Sequence, residues 1–259
     1  MKIDKWAQTN DIELISIILP VFNEARTVKN TLSQVHESMA NSGYNFEVIV
    51  VESNSSDGSR EIVVETTPTL NGIVPDSVKL LFQDEAKGKG SAVREGLRFA
   101  IGDVIAIYDA DDEYNPEDIV KLIDVFEKRV ASFVLGTRHA KGSPMRVMIG
   151  HPLLSKIMNL AHWFFTYIFN LTFGVKLTDP FTMHKVFNAR IFDNVNLVAN
   201  RFDIDWEILG SAIRLGSVPQ EVPIEYKARS YGEGKKVRIF LDPLKWIVIL
   251  VKVRFRRFI

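Results

Sequence analysis

The chain has 259 residues, 46% apolar and 25% charged, with 17 Phe and 4 Trp, a composition that excludes disorder and supports a full hydrophobic core. With no cysteine it has no disulfide framework, no thiolate chemistry and no Cys-ligated zinc or iron–sulfur centre. The 32 basic and 32 acidic residues cancel only in sum: from Lys227 to Ile259 ten Lys and Arg face two acids, Glu233 and Asp242, so this segment carries +8 and the remainder −8. A basic tail on an acidic body points to an anionic partner at one end, a phosphate or a lipid headgroup, and away from nucleic acid, which the body would repel.

The N-terminus, up to Leu14, has no apolar segment of the signal-peptide kind, so the chain is expected to stay in the cytoplasm. Apolar, β-branched runs at Leu14–Val21, Phe46–Val51, Val78–Phe82, Asp103–Tyr108 and Ala131–Leu135 predict strands. Helical patterns near 24–40, 57–66, 89–100 and 116–129 separate them, the last opened by Pro116 with Glu117 and Asp118 in its first turn. Strands apolar on both faces and alternating with helices predict a Rossmann-like, mostly parallel sheet covered on both sides. The runs end in polar residues: Asn23 and Glu24, Glu52 to Asn54, and Asp109 to Glu113. Carboxyl ends of parallel strands bind ligands, so these clusters are expected to share one crevice.

Beyond about residue 139 the texture changes. Residues 157–175 carry no Asp, Glu, Lys or Arg, but Asn159, His162, Thr166, Asn170 and Thr172 dilute the stretch, so it is read as a buried or membrane-surface helix within an apolar segment 146–175 rather than as a span. Asp242 and Pro243 open a last helix with Lys245, Lys252 and Arg256 on one stripe. That predicts a basic amphipathic helix on an anionic membrane surface, with packing against a second subunit in a homo-oligomer as the competing reading. The expected organisation is a catalytic α/β domain over 1–238 and a C-terminal basic helix over 239–259.

The sharpest chemical signal is Asp109, Asp111, Asp112 and Glu113, four carboxylates within five residues at a strand end. Their repulsion would be relieved by a divalent cation, and hard oxygen donors suit Mg2+ or Mn2+ bridging a diphosphate. The stretch from Lys87 to Gly90 (KGKG) lacks the third glycine of a dinucleotide fingerprint, which discounts NAD.

Together with that acidic motif, the segments Ile15–Glu24 (ISIILPVFNE), Val51–Gly58 (VESNSSDG) and Lys87–Gly90 resemble, in order, the family 2 glycosyltransferases of GT-A fold. The likeness runs from Leu14 to Phe240 and is nearest to the polyprenyl-phosphate hexose synthases, such as the dolichyl-phosphate mannose synthases. It implies that Pro20, Phe22, Glu24 and Glu52 hold the uridine or guanosine of a nucleotide-sugar, although relatives usually carry Asp where Glu52 stands. Lys89 approaches a phosphate, and Asp57 is a turn and helix-cap residue. Asp109, Ala110 and Asp111 contact the donor, with Asp109, Asp111 and Glu113 as metal ligands.

On the acceptor side, Gly136-Thr137-Arg138 resembles the family's Gly-Ser-Arg, which assigns Arg138 to an acceptor phosphate. Ser155 is kept, but His151 stands where relatives carry a second Arg, with Arg146 a little earlier. Asp179, in the segment 178–185 (TDPFTMHK), is implied as a catalytic residue that positions the nucleophile or acts as its base. Asp205 and Glu207 resemble a family helix motif and read either as acids supporting the site from behind or as the polar face of a helix, the second being preferred. The segment Tyr226–Lys236 resembles a loop that closes over the site, with Arg229 and Lys235 on diphosphate or acceptor phosphate. The resemblance thus implies a metal-dependent, inverting transfer of a hexose from a UDP- or GDP-sugar to a polyprenyl phosphate, peripherally at the cytoplasmic face of a membrane. Two alternatives stand beside it: transfer to a saccharide hydroxyl, for which Asp179 is needed as base, and a non-catalytic nucleotide-sugar-binding module.

Overall fold

The computed structural model describes residues 6, 12–128, 131–139, 152–229, 236 and 241–258. The first half alternates strand and helix as expected: β1 (Ile15–Val21), α1 (Val28–Ala40), β2 (Phe46–Glu52), α2 (Ser59–Ile73), β3 (Val78–Phe82), α3 (Lys89–Phe99), β4 (Val104–Ile107), α4 (Glu117–Lys128) and β5 (Phe133–Thr137). The second half follows with α5 (Pro152–Phe173), β6 (Lys185–Asn188), a 3-10 turn (Ala189–Phe192), α6 (Ile204–Arg214), β7 (Gln220–Pro223) and α7 (Leu241–Phe255).

The seven strands form one sheet in the order β3-β2-β1-β4-β6-β5-β7. All pairings are parallel except those of β6, which runs antiparallel to both β4 and β5. Alternation along β1 sends Ile15, Ile17 and Leu19 to one face and Ile18 to the other. The first face is covered by α1, α2 and α4, and the second by α3, α5, α6 and α7. Strand order reverses between β1 and β4, so the loops after these two strands part and leave a crevice at their carboxyl ends.

Three elements differ from the sequence reading. Helix α2 continues through Pro68 to Ile73, seven residues beyond the expected end at 66, because buried Leu70 anchors its last turn. Strands β6 and β7 carry no signal in the sequence. Each has four residues, β6 begins with a lysine, and β7 buries only Val222, so neither shows a readable alternation. Helix α6 is buried from Ile204 to Ile213 beneath α5 and α7. A Cβ at Gly210 would meet Phe173 of α5 at 2.7 Å and Val253 of α7 at 3.1 Å, so both outer helices rest on the same point. Among the described residues no helix is long and apolar enough to cross a membrane.

Candidate active site

The crevice is a cavity of about 540 Å³ at the carboxyl ends of the strands. It is entered from β4 by a tight turn. Asp112 adopts φ 59°, in the left-handed region that Asp tolerates, and the Tyr108 hydroxyl donates to the Tyr114 carbonyl at 2.6 Å to close the turn. The Thr27 hydroxyl ties Ala110 down from the β1 loop at 2.8 Å. Asp109 and Asp111 face the cavity, whereas Asp112 is exposed.

Lys89 reaches Asp109 from the first turn of α3, with Nζ 2.7 Å from Oδ1 and 2.8 Å from Oδ2. The glycines on either side permit this. Gly88 has φ 104°, and a Cβ on Gly90 would lie 2.5 Å from the Ala199 carbonyl oxygen. The start of α3 therefore docks on the backbone of 199–201 as only glycine allows. Burial disfavours the Lys89 ammonium, but Asp109 and Asp205 outweigh it and raise the pKa.

Burial together with the charges of Asp109 and Glu113 pushes the Asp111 carboxyl up to about 8, against the pull of Arg229 and Lys89. The counter-ions come from the 226–236 segment. Arg229 sets Nη1 2.9 Å from Glu24 and Nη2 3.0 Å from Asp111, and its backbone N–H donates to Glu113 at 2.8 Å. The Tyr226 hydroxyl donates to the other Glu113 oxygen at 2.8 Å, and Lys236 lies 2.5 Å from Glu24. Arg229 is correspondingly raised above its ordinary value, burial being outweighed by Glu24 and Asp111.

The opposite wall presents a finished pair. Arg138, at the end of β5, donates through Nε at 2.6 Å and Nη2 at 2.8 Å to the two oxygens of Asp179, which is wholly buried. Burial alone would raise Asp179; the Arg138 guanidinium outweighs it and holds the carboxyl well below the usual range. The Asp179 backbone is fixed by donation to Glu221 at 2.9 Å, and the Tyr226 ring lies under the guanidinium at 5.1 Å.

Of the residues expected at the site, Pro20, Phe22, Glu24, Lys89, Asp109, Ala110, Asp111, Glu113, Arg138 and Arg229 line this one cavity. Glu52 does not line it. Its oxygens take the Ser55 N–H at 2.6 Å and the Arg60 guanidinium, and the side chain is wholly buried behind Ser53. Ser155 is buried on α5 outside the lining, and His151 and Lys235 lie outside the described residues. Asp57 accepts the Ser59 N–H at 3.0 Å and the Ala25 N–H at 2.9 Å, as a cap and turn residue does.

The pair read as a polar helix face is corrected: Asp205 and Glu207 are buried. Asp205 lines the cavity and holds Lys185 at 2.9 Å, while Glu207 accepts from the Val198 and Ala199 N–H groups and from Arg256. The reading failed because both acids sit in the first turn of α6, where acids are also favoured on exposed faces. Tyr226 and Lys236 were passed over as well. Both bound the segment singled out in the sequence, but nothing local distinguishes them from Arg229 and Lys235.

Among the described residues no three His, Asp or Glu side chains converge as a ready-made metal site. The donor set nevertheless suits a magnesium-like ion, which takes one or two carboxylates and completes its shell with substrate phosphates and water. Asp109 and Asp111 supply two hard oxygen donors, and the raised Asp111 carboxyl marks a place short of positive charge. Glu113 is committed to Tyr226 and Arg229.

Comparison with known proteins agrees with this architecture. The sequence profile described as "Glycosyl transferase family 2" matches residues 16–195. The chain belongs to this family. It is 28% identical over 252 residues to a dolichol-phosphate mannosyltransferase of Pyrococcus furiosus, covering 92% of this chain and 64% of that one. It is 26% identical over 239 residues to a dodecaprenyl-phosphate galacturonate synthase of Rhizobium johnstonii, covering 89% of this chain and 65% of the relative. The chain thus spans a little under two thirds of the length of these relatives. In fold it is similar to glucosyl-3-phosphoglycerate synthase of Mycobacterium tuberculosis, crystallised with Mn2+, UDP and phosphoglyceric acid. The TM-score is 0.62 at 16% identity, over 95% of this chain and 80% of that one. The molecule is a family 2 glycosyltransferase with the GT-A fold.

Proposed function

We propose that this glycosyltransferase moves a hexose from a nucleotide-sugar to the phosphate of a polyprenyl phosphate, with inversion at the anomeric carbon and with Mg2+ or Mn2+ as cofactor. The observation that carries the acceptor assignment is the Arg138–Asp179 pair. A hydroxyl nucleophile needs a base, and Asp179, the candidate base, is buried, gripped on both oxygens and held far below neutrality. A phosphate monoester has a second pKa of about 6 and is largely dianionic at neutral pH, so it needs a cation beside it more than a base. Arg138 is such a cation, permanently charged and aimed by its partner. The names of the two polyprenyl-phosphate relatives support the same class of acceptor.

On the donor side, Asp109 and Asp111 would hold the metal, which when bound offsets the charge of the leaving diphosphate. Lys89 orients Asp109 and adds a second positive charge beside it. Arg229 and Lys236 neutralise Glu24 and the acidic cluster while no donor is present and are placed to turn towards the diphosphate when it arrives. Phe22 and Ser53 give the nucleoside an apolar wall and a hydroxyl in the same cavity.

The test is to incubate the purified chain and Mn2+ with a panel of labelled nucleotide-sugars, with and without polyprenyl phosphate. Label that enters the organic phase only when the lipid is present supports the proposal. Label on a saccharide hydroxyl, or no transfer from any donor, refutes it.

A further inference from the structure

Strand β6 opens with a lysine where the sheet asks for a hydrophobe. Met183 and Phe187, two residues before and after it, belong to the same buried apolar cluster as Ile107 of β4 and Leu135 of β5, its register partners. Lys185 is itself wholly buried among them. Its methylene stem suits such a place, but its ammonium does not. An ion taken out of water persists only against a partner, and a well-packed apolar residue instead of the pair would be neutral or stabilising. The fold therefore carries a buried charge that packing does not require.

The partner is Asp205, in the first turn of α6, whose Oδ1 accepts from the Lys185 ammonium at 2.9 Å. Asp205 is only 4% exposed yet lines the catalytic cavity, and no other hydrogen bond reaches its side chain among the described residues. The other acids of that lining are more fully committed. Glu24 is held by Arg229 and Lys236, Asp109 by Lys89 on both oxygens, Asp111 by Arg229, and Glu113 by Tyr226 and Arg229. Asp205 thus has one oxygen fixed from behind and one left for whatever fills the cavity. The pair also lies where a transferred sugar has to lie, between the acids of the donor side and Arg138. Burial lowers the Lys185 pKa against the pull of Asp205, and smaller effects come from Lys89, which holds Asp109, and from Asp179, which holds Arg138.

We infer that Asp205 binds the hexose of the donor, its second oxygen accepting a hydrogen bond from one sugar hydroxyl, and that Lys185 is the positioning residue that aims it. The chemistry matches the ligand. A hexose hydroxyl is a neutral donor, and a carboxylate that only accepts is its strong partner. Lys185 balances the charge of Asp205 from within the fold, so this acid does not wait for a metal as Asp111 does. It follows that the pair sets specificity. A sugar that lacks the hydroxyl leaves a desolvated acceptor unpaired, and sites built in this way reject such analogues strongly. This assignment rests on the proposed nucleotide-sugar donor and is independent of the acceptor.

Calorimetric binding and thermal melting of the full chain test this together. The ligands are UDP-glucose, UDP-galacturonate and GDP-mannose, with UDP and GDP as the parent diphosphates, all in the presence of Mn2+. The double variant Lys185→Met, Asp205→Asn removes both buried charges, so its melting temperature should equal or exceed that of the wild type. It should bind the parent diphosphate normally and the preferred nucleotide-sugar about tenfold to a hundredfold more weakly. Lys185→Met alone should show the same selective loss at a lowered melting temperature, because Asp205 is left buried without its partner. One of the 2-, 3-, 4- or 6-deoxy forms of that donor should bind the wild type equally weakly, and the double variant should not distinguish it from the intact donor. A double variant that binds the nucleotide-sugar as tightly as the wild type does would overturn the inference. So would equal losses for the nucleotide-sugar and its parent diphosphate, or a wild type that binds all four deoxy forms as tightly as the intact donor. A wild type that binds none of the nucleotide-sugars removes the proposed donor and this assignment with it, whereas failure of the assignment alone leaves wild-type donor binding intact.

Discussion

Two carboxylates at one cavity, Asp111 facing it and Asp179 buried behind Arg138, have been driven in opposite directions. Asp111 stands among Asp109 and Glu113 and is pushed up to about 8; Asp179 is gripped by Arg138 and held well below the usual carboxylate range. Burial opposes ionisation in both, so the neighbours decide the sign. The wall at β4 carries surplus negative charge and is completed only when a cation arrives. The wall at β5 is complete within the fold and presents a cation outward. One side is therefore built to receive positive charge and the other to receive negative charge, as expected where a metal–diphosphate donor meets an anionic acceptor.

The largest effect should come from the incomplete wall. Asp111→Asn is expected to lower transfer by about 10²-fold or more, read as product per time at saturating donor and Mn2+. The same change should stabilise the ligand-free protein. The folded carboxyl keeps its proton up to about pH 8, whereas the unfolded one loses it near about 3.9, so this group's contribution to wild-type stability falls as pH rises between those values. The variant escapes that loss, so its melting temperature should exceed the wild type's by a margin that widens from pH 4 to pH 8. Near-normal turnover in the variant would remove Asp111 from the metal site.

Asp179→Asn should do the reverse, lowering stability and sparing chemistry. Removing one partner of a buried pair costs about 3–5 kcal/mol, seen as a large drop in melting temperature. Below the melting range the variant should show a raised KM for the lipid phosphate with kcat kept within roughly tenfold, because Asp179 acts through Arg138. If kcat collapses in a folded variant at every acceptor concentration, Asp179 is the base and the acceptor is a hydroxyl.

The two walls were not equally legible. The β4 wall was readable because its four acids fall within five residues, follow a strand that is apolar and buried at every position, and sit in the half of the chain where strand and helix alternate cleanly. The β5 wall depends on β6 and β7, four-residue strands without periodicity, which bring Asp179 under Arg138 from 41 residues away. Arg138 and Asp179 were each found through family resemblance, but their pairing is tertiary and leaves no local trace. Glu52 shows a further limit. At the end of a strand it reads as a ligand contact, yet Arg60, eight residues on in α2, consumes its charge. The burial of Asp205 and Glu207 was missed because their partners are remote in the chain: Lys185 of β6 for Asp205, and Arg256, just past the end of α7, for Glu207.

A smaller effect probes the bridge between the walls. Tyr226 touches both, through Glu113 and under Arg138, and Arg229 follows three residues later. Before donor binds, Arg229 competes with any incoming cation for Asp111 and Glu24. Arg229→Gln should therefore bind Mn2+ alone a few-fold more tightly, by electron paramagnetic resonance of the free ion, while losing affinity for the nucleotide–Mn2+ complex. Unchanged Mn2+ affinity would mean that the guanidinium leaves the acids without cost and is no placeholder.

The subtlest test concerns His184, which fills the space between the walls without serving either. Its ring stands edge-on to Tyr108 at 5.1 Å and to Tyr114 at 5.3 Å, and neither nitrogen has a hydrogen-bond partner among the described residues. Burial pushes its pKa down to about 3. The folded ring thus stays neutral while the unfolded one takes a proton below about pH 6.5, so stability is lost as pH falls from about 6.5 towards 3. Asp179 adds its own loss only below its unfolded value of about 3.9. The two contributions separate on the pH axis. In the Asp111→Asn background, which removes the opposing slope of that raised carboxyl, His184→Phe, which keeps an aromatic ring against both tyrosines, should take away the rise in stability between pH 4.5 and 6.5, leaving residual slopes from His36, lowered by burial, and Glu221, raised by it. The steeper fall below pH 4 should remain, and Asp179→Asn should reduce it, the rest coming from Glu47, Glu52 and Asp57, whose carboxyls are also held low. If Asp111→Asn and its double variant with His184→Phe show the same pH dependence from pH 7 to 5, His184 accepts its proton in the folded state, and the space between the walls is wetter than its tyrosine packing implies.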